Sequence, residues 1–301
     1  MKLAQFYVPH QGIRTGVLQN DRVQDLTELA PDIRTVNDLL ARSCEEGVSM
    51  EEIASEILSG GVIQSRPYKD LDIAPNSSKP YLLMPIYPPE VWGFGVTYRR
   101  SAQMRDEDSG TTIYDHAYAA ERPEVFFKAT PSRCVGPNGP IGIRCDSTLT
   151  ATEPELAYVL GEDRQIVGYT CCNDVSAWDI ERENPLYLPQ SKIYTGCCAI
   201  GPVLVTPSEI PDPRNLQITC RLFRRGEKVF EESVHSSRIK RSFEELTEFL
   251  CRNNPVPIGT VVSTGTGIMI PNEWAMQEGD LVEIEIERIG VLSNVARRWT
   301  P

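Results

Sequence analysis

From Tyr81 onward, short apolar runs follow one another at close spacing, and only one strongly helical stretch interrupts them. The runs are VWGFGVTY (91–98), EVFFKA (124–129), ELAYVLG (155–161), IVGYTCCNDVSA (166–177), CCAIGPVLV (197–205), LQITCRLFRRGEKVFEESV (216–234) and LVEIEIERIGVLSNVA (281–296). Runs of this length, rich in β-branched and aromatic residues and bounded by turn formers, predict strands. The sixth breaks at Arg225-Gly226 and predicts a hairpin. The helical exception is SFEELTEFLCRN, where Ser242 stands at an N-cap with Glu245 three residues on. So many strands with so little helix predict a β-rich α+β fold.

The front of the chain is different. LAQFYV and RTGVLQ predict short strands around a PHQG turn, followed by helices at TVNDLLARSC and SMEEIASEIL. Ser49 and Glu52 stand in capping-box positions for the second helix. QSRPYKDLDIAPNSSKP (64–80) is polar and broken by proline, and is expected to be a linker or loop. The division expected is a small N-terminal α/β domain over residues 1–75 and a second domain over 76–301. The polar stretch from Tyr98 to Ala120 is expected to be helical, with a mobile middle at DEDSGTT (106–112).

Charge narrows the function. A net charge of −12 lacks the basic surface that nucleic acid or anionic membrane requires. No apolar run approaches the roughly 20 residues of a membrane span, and the N-terminus has no secretory leader pattern. Nine cysteines without a C-x-x-C pair are expected to be reduced, mostly buried thiols of a cytoplasmic protein.

The chemistry concentrates at TATEPELAYVLG (150–161). Strand side chains alternate, so Glu153 and Glu155 share a face. Pro154 between them gives no N–H, which suits a strand edge or a bulge. Two adjacent carboxylates repel unless one is protonated or a cation lies between them. The strand GYTCCNDVSAWD supplies Asp174 as a third. Three carboxylates with open positions suit a hard cation, most simply Mg²⁺. The three histidines, His10, His116 and His235, are too scattered for a zinc site. VSTGTG (262–267) sets hydroxyls and backbone N–H groups in a Gly-rich turn that can cradle an anion.

The order Glu-x-Glu-Leu-Ala, Gly-Tyr-Thr-x-x-Asn-Asp-Val-Ser-Ala, a lysine, STGTG and GDLVEIEIERIGVLSN resembles that of the fumarylacetoacetate hydrolase family over roughly residues 80–301. The resemblance implies a mixed β-roll catalytic domain, usually dimeric or a dimer of dimers. It also implies a divalent ion on Glu153, Glu155 and Asp174, with Mg²⁺ replaceable by Mn²⁺ or Ca²⁺, and a small 2-oxo acid substrate. Three further runs, PPEVWGFGVTY, RPEVFFKATPSRCVG and ENPLYLPQSKIYTGCCAIGPV, resemble the branch that dehydrates 2-keto-3-deoxy-D-arabinonate to 2,5-dioxopentanoate.

That branch implies roles for single residues. Lys192 is expected to be the base for the C3 proton, its amine pushed toward neutrality by a nearby dication. Glu124 is expected to be the acid or to orient a water, rather than to pair with Arg122 or Lys128. Thr264, Gly265 and Thr266 are expected to hold the substrate carboxylate. Thr97 and Tyr98 stand where hydrolases of the family begin Asn-Tyr-x-x-His, but here the run reads Thr97-Tyr98-Arg99-Arg100-Ser101. Trp178 replaces an arginine frequent in the family and is expected to close the far end of the pocket. The missing histidine disfavours the alternative, a hydrolase cleaving a C–C bond in an acylpyruvate, and Lys192 argues against an inert binder of 2-oxo acids.

Overall fold

The computed structural model describes residues 1–300, with the backbone only at Asp108 and Ser109. The expected mobility of 106–112 therefore falls partly outside the described residues. The helical expectation for this region is met by Arg99–Ser109 and Ile113–Ala119, separated at Gly110.

One large mixed sheet dominates. Its strands run in the order Ser65–Pro67, Arg22–Asp25, Gly12–Gln19, Lys2–Val8, Cys198–Val205, Ile166–Asp174, Pro154–Leu160, Val261–Ser263, Val91–Gly95 and Glu124–Ala129. A second sheet of five strands contains the hairpin Gln217–Arg224 and Glu227–His235, then Leu281–Ile286, Gly290–Arg298 and Pro140–Ile143. Arg225 and Gly226 turn that hairpin at positive φ, as the sequence predicts.

The strand Pro154–Leu160 is buried at every position because both faces of the large sheet are covered. Leu156, Tyr158 and Leu160 join Ile218, Cys220, Val282 and Ile284 of the second sheet in one core. Ala157 and Val159 join Leu39, Leu40 and Ile53 of the N-terminal helices in another. Those helices, Val36–Glu46 and Met50–Ser59, both begin at reciprocal capping boxes, Thr35 with Asp38 and Ser49 with Glu52. Ser242 caps Phe243–Cys251 by accepting from Glu245 N.

The stretch 64–80 departs from the linker expectation. It holds a three-residue strand, Ser65–Pro67, paired with Arg22–Asp25, and a helical turn, Tyr68–Leu71, whose Leu71 is buried. Pairing with an existing edge satisfies the backbone despite the prolines. Strand Lys2–Val8 pairs with Cys198–Val205, so the sheet of the first 75 residues runs on into the central one. Pro154 also departs from expectation, since its strand lies inside the sheet. It opens the strand opposite Asn173, and on the other side pairing with Val261–Ser263 starts only at Ala157, where no N–H is missing.

Candidate active site

Register builds the acidic cluster. Pro154 pairs with Asn173 and Glu155 with Cys172, which sets Asp174 beside Glu153, and Asp174 N donates to Glu153 O at 3.0 Å. Alternation then sends Glu153, Glu155 and Asp174 to one face at the end of two neighbouring strands. One carboxylate oxygen from each lies within 4.8 Å of the others, and all three residues are buried.

The three carboxyls are held differently. Glu153 Oε1 accepts from Trp178 Nε1 at 2.6 Å, Arg105 Nη2 at 3.0 Å and Lys192 Nζ at 3.1 Å. Burial would raise this carboxyl, but Lys192 and Arg105 outweigh it and hold it well below the usual range. Glu155 Oε2 accepts from Ser263 Oγ and, at 2.8 Å, from Gly265 N. Among the described residues no cation pairs with it, and burial, then Asp174 and Glu153, push it up. Asp174 lies between two lysines, with Lys128 Nζ 2.5 Å from Oδ1 and Lys192 Nζ 2.7 Å from Oδ2.

A cavity of about 280 Å³ opens over this cluster. Its polar wall includes Arg105, Glu124, Glu181 and Lys192, and Gly265 and Thr266 close one side. Counting Glu124, Glu153, Glu155, Asp174 and Glu181 against Arg105, Lys128 and Lys192, five carboxyls face three cations and leave two negative charges uncompensated when all ionise. Such an excess, on three converging carboxylates of which Glu155 is pushed toward its protonated form, fits a divalent cation.

Lys192 ends the helix Leu188–Lys192 and is buried. Its Nζ also donates to Ser176 Oγ at 2.6 Å and lies 5.2 Å from the centre of the Phe126 ring. Burial favours the neutral amine, but Asp174, Glu153 and Glu181 prevail and hold it charged. The protein's own groups thus act against the lowered lysine expected from the sequence. Glu124 lies in the cavity with neither Arg122 nor Lys128 as its ion-pair partner: Arg122 stacks on Phe249 and Lys128 takes Asp174. Burial, then the Glu181 charge, raise its carboxyl to about 7. It also occupies the space that a Cβ on Gly95 would need.

The remaining residues proposed from the sequence divide. Gly265 and Thr266 line the cavity and Thr264 does not: its hydroxyl donates to Leu156 O at 2.8 Å, into the sheet. Thr97 Oγ1 donates to Thr264 O at 2.6 Å, and Tyr98 packs against Gly267. Both brace the turn from behind. Trp178 does not close the cavity: it lies behind Glu153, holds that carboxylate, and carries Arg182 at 5.1 Å from its ring centre. A buried indole needs an acceptor for its N–H, and Glu153 is the one within reach.

Three charged residues of the site were not anticipated in their roles. Lys128 lies on the same strand face as Glu124 and Phe126, a period of two that EVFFKA already contains. Arg105 lies one helical turn beyond Ser101 and lines the cavity with it. Glu181 comes from the helix Trp178–Glu183, three residues after Trp178. None of the histidines lines the cavity among the described residues.

Known proteins resemble this chain. The chain is 50% identical over 213 residues to 2-dehydro-3-deoxy-D-arabinonate dehydratase of Saccharolobus solfataricus, covering 69% of this chain and 72% of that protein. It is 42% identical to a probable 2-keto-3-deoxyxylonate dehydratase of Haloferax volcanii, covering 93% and 94%. A solved structure of 2-keto-3-deoxy-D-arabinonate dehydratase complexed with magnesium and 2,5-dioxopentanoate superposes with a TM-score of 0.82 at 39% identity, covering both chains fully. The family profile described as fumarylacetoacetate (FAA) hydrolase C-terminal matches residues 90–297. With that match spanning most of its length, the chain belongs to the fumarylacetoacetate hydrolase family.

Proposed function

We propose that the protein is a Mg²⁺-dependent hydro-lyase that dehydrates a 2-keto-3-deoxy sugar acid, foremost 2-keto-3-deoxy-D-arabinonate, to 2,5-dioxopentanoate. The observation that carries this reading is the cavity itself: Lys192 and Glu124 stand over three converging carboxylates, and no histidine among the described residues offers a base for hydrolysis. Similarity to two dehydratases that act on such acids supports it.

Glu153, Glu155 and Asp174 would hold the ion. A divalent ion there would supply Lewis-acid polarisation of a 2-keto group and would offset the negative charge that keeps Lys192 protonated. Lys192 Nζ takes the C3 proton of the substrate. Glu124, balanced near neutrality, gives a proton to the departing C4 hydroxyl. Thr266 binds the substrate carboxylate from the turn, while the Gly265 N–H holds Glu155. Arg105 and Trp178 keep Glu153 ionised and oriented. Loss of a C5 proton and return of one to C3 then give the C4–C5 enol, which becomes the aldehyde by gaining a proton at C4 and releasing its C5 hydroxyl proton.

Residues 76–301 form the catalytic unit in this reading and 1–75 an accessory unit. The family resemblance supports a homodimer or a dimer of dimers. Nine free cysteines, six of them buried, support a reducing compartment such as the cytoplasm. No helix among the described residues is long and apolar enough to cross a membrane.

The test is a panel of 2-keto-3-deoxy acids and acetylpyruvate, with Mg²⁺ or with excess chelator. Dehydration of a 2-keto-3-deoxy pentonate only when Mg²⁺ is present supports the reading. Pyruvate release from acetylpyruvate, with every 2-keto-3-deoxy acid unchanged, replaces it with hydrolysis.

A further inference from the structure

Glu181 has a carboxylate oxygen that the chain does not use. Its Oε1 pairs with Arg105 Nη1. Its Oε2 has no hydrogen-bond partner among the described residues, although the side chain is only 6% exposed. The nearest cation to Oε2 is Lys192 Nζ at 4.0 Å, beyond hydrogen-bond reach and already engaged by Glu153, Asp174 and Ser176. A buried acceptor left unpaired is costly and is normally satisfied by a ligand or water.

Its position says which ligand. Arg105 donates to Glu153 through Nη2 and to Glu181 through Nη1, so Glu181 stands one guanidinium away from the carboxylate triad, in the wall of the same cavity. The reacting end of a 2-oxo acid belongs at the triad. Glu181 is left facing what extends from it, in a cavity that the apolar Ile113 and Leu188 also line.

We infer that Glu181 is the specificity determinant for the substrate's tail, accepting a hydrogen bond from a terminal hydroxyl and repelling a terminal carboxylate. This rests on the proposed dehydratase reading and adds the tail to it. A tail hydroxyl gives the free Oε2 the donor that it lacks. A tail carboxylate has no proton to give and sets a second negative charge against Oε2 where both nearby cations are engaged. Selection at the far end of the pocket, which the sequence suggested for Trp178, thus falls to Glu181, since Trp178 lies behind the cavity wall.

Two ratios test it, each taken within one protein so that loss of folded material cancels. The first is kcat/KM for 2-keto-3-deoxy-D-arabinonate over that for 4-hydroxy-2-oxopentanoate, which has the same C3 proton and C4 hydroxyl but no C5 hydroxyl. The wild-type ratio is expected to be about a hundredfold, and Glu181→Ala is expected to lower it at least about tenfold. The second is the calorimetric affinity for 2-oxopentanoate over 2-oxoglutarate, with Mg²⁺ present and no turnover. Glu181→Gln, which removes the charge and keeps the size, is expected to lower this ratio by about tenfold. Either ratio staying at its wild-type value overturns the inference. If the wild-type protein dehydrates neither hydroxy acid, the dehydratase reading fails by itself, and the binding ratio still reports on Glu181.

Discussion

Lys128 Nζ lies 2.5 Å from Asp174 Oδ1, and both side chains are buried. Lys128 also donates to Val175 O at 2.9 Å and to Lys192 O at 2.7 Å, so one ammonium ties the acidic strand end to the helix that carries Lys192. Removing one partner of a buried pair costs about 3–5 kcal/mol, because the other charge stays behind. Lys128→Met is predicted to lose stability of that order in chelator, and to recover part of it in Mg²⁺. Urea unfolding with and without the ion measures both.

Glu124 gives a prediction whose sign follows from linkage. Its carboxyl is raised from an ordinary value of 4.5 to about 7 by burial, then by Glu181. Between those values the folded chain binds more protons than the unfolded chain, so stability falls as pH rises from about 4.5 to about 7. Glu124→Gln removes that slope. In chelator, thermal melts are predicted to find the variant gaining on the wild type across this window, with the largest gain above pH 7 and none below 4.5.

Gly265 has φ +88°, and a Cβ there would lie 2.2 Å from Thr97 Oγ1 and 2.7 Å from Phe94 O. Its N–H is a donor to Glu155. Gly265→Ala is predicted to destabilise the fold by about 1–3 kcal/mol. It is also predicted to weaken Mg²⁺ binding about 10–100-fold, as losing a group that orients a ligand does. Calorimetric titration of Mg²⁺ checks the second part.

Lys192 contacts three carboxylates, Glu153, Asp174 and Glu181. Lys192→Met keeps the stem and removes the amine. The variant is predicted to bind Mg²⁺ and 2-oxobutyrate while losing exchange of the C3 protons with solvent by at least about 100-fold. Isotope exchange followed by NMR reads the loss, and calorimetry reads the binding.

The three converging carboxylates were legible because their placement is strand arithmetic: Glu153 and Glu155 alternate, and Asp174 closes the next apolar run. The strands themselves, the hairpin at Arg225-Gly226 and the Ser49 capping box were legible for the same local reasons. Lys128 was within reach of that arithmetic, two and four residues from Phe126 and Glu124. Arg105 and Glu181 were not, since they meet only where two helices distant in sequence pack over the sheet end. Trp178 was misplaced because a substitution relative to the family says which side chain is present and not which way it faces. The strand Ser65–Pro67 escaped notice because composition alone does not reveal an open sheet edge waiting for it.

The most direct test of dehydration through C3 deprotonation is the NMR spectrum of turnover in D₂O. The protein, Mg²⁺ and 2-keto-3-deoxy-D-arabinonate are predicted to yield 2,5-dioxopentanoate carrying deuterium at C3, with no pyruvate. Pyruvate as the product, or 2,5-dioxopentanoate with only protium at C3, would contradict the account.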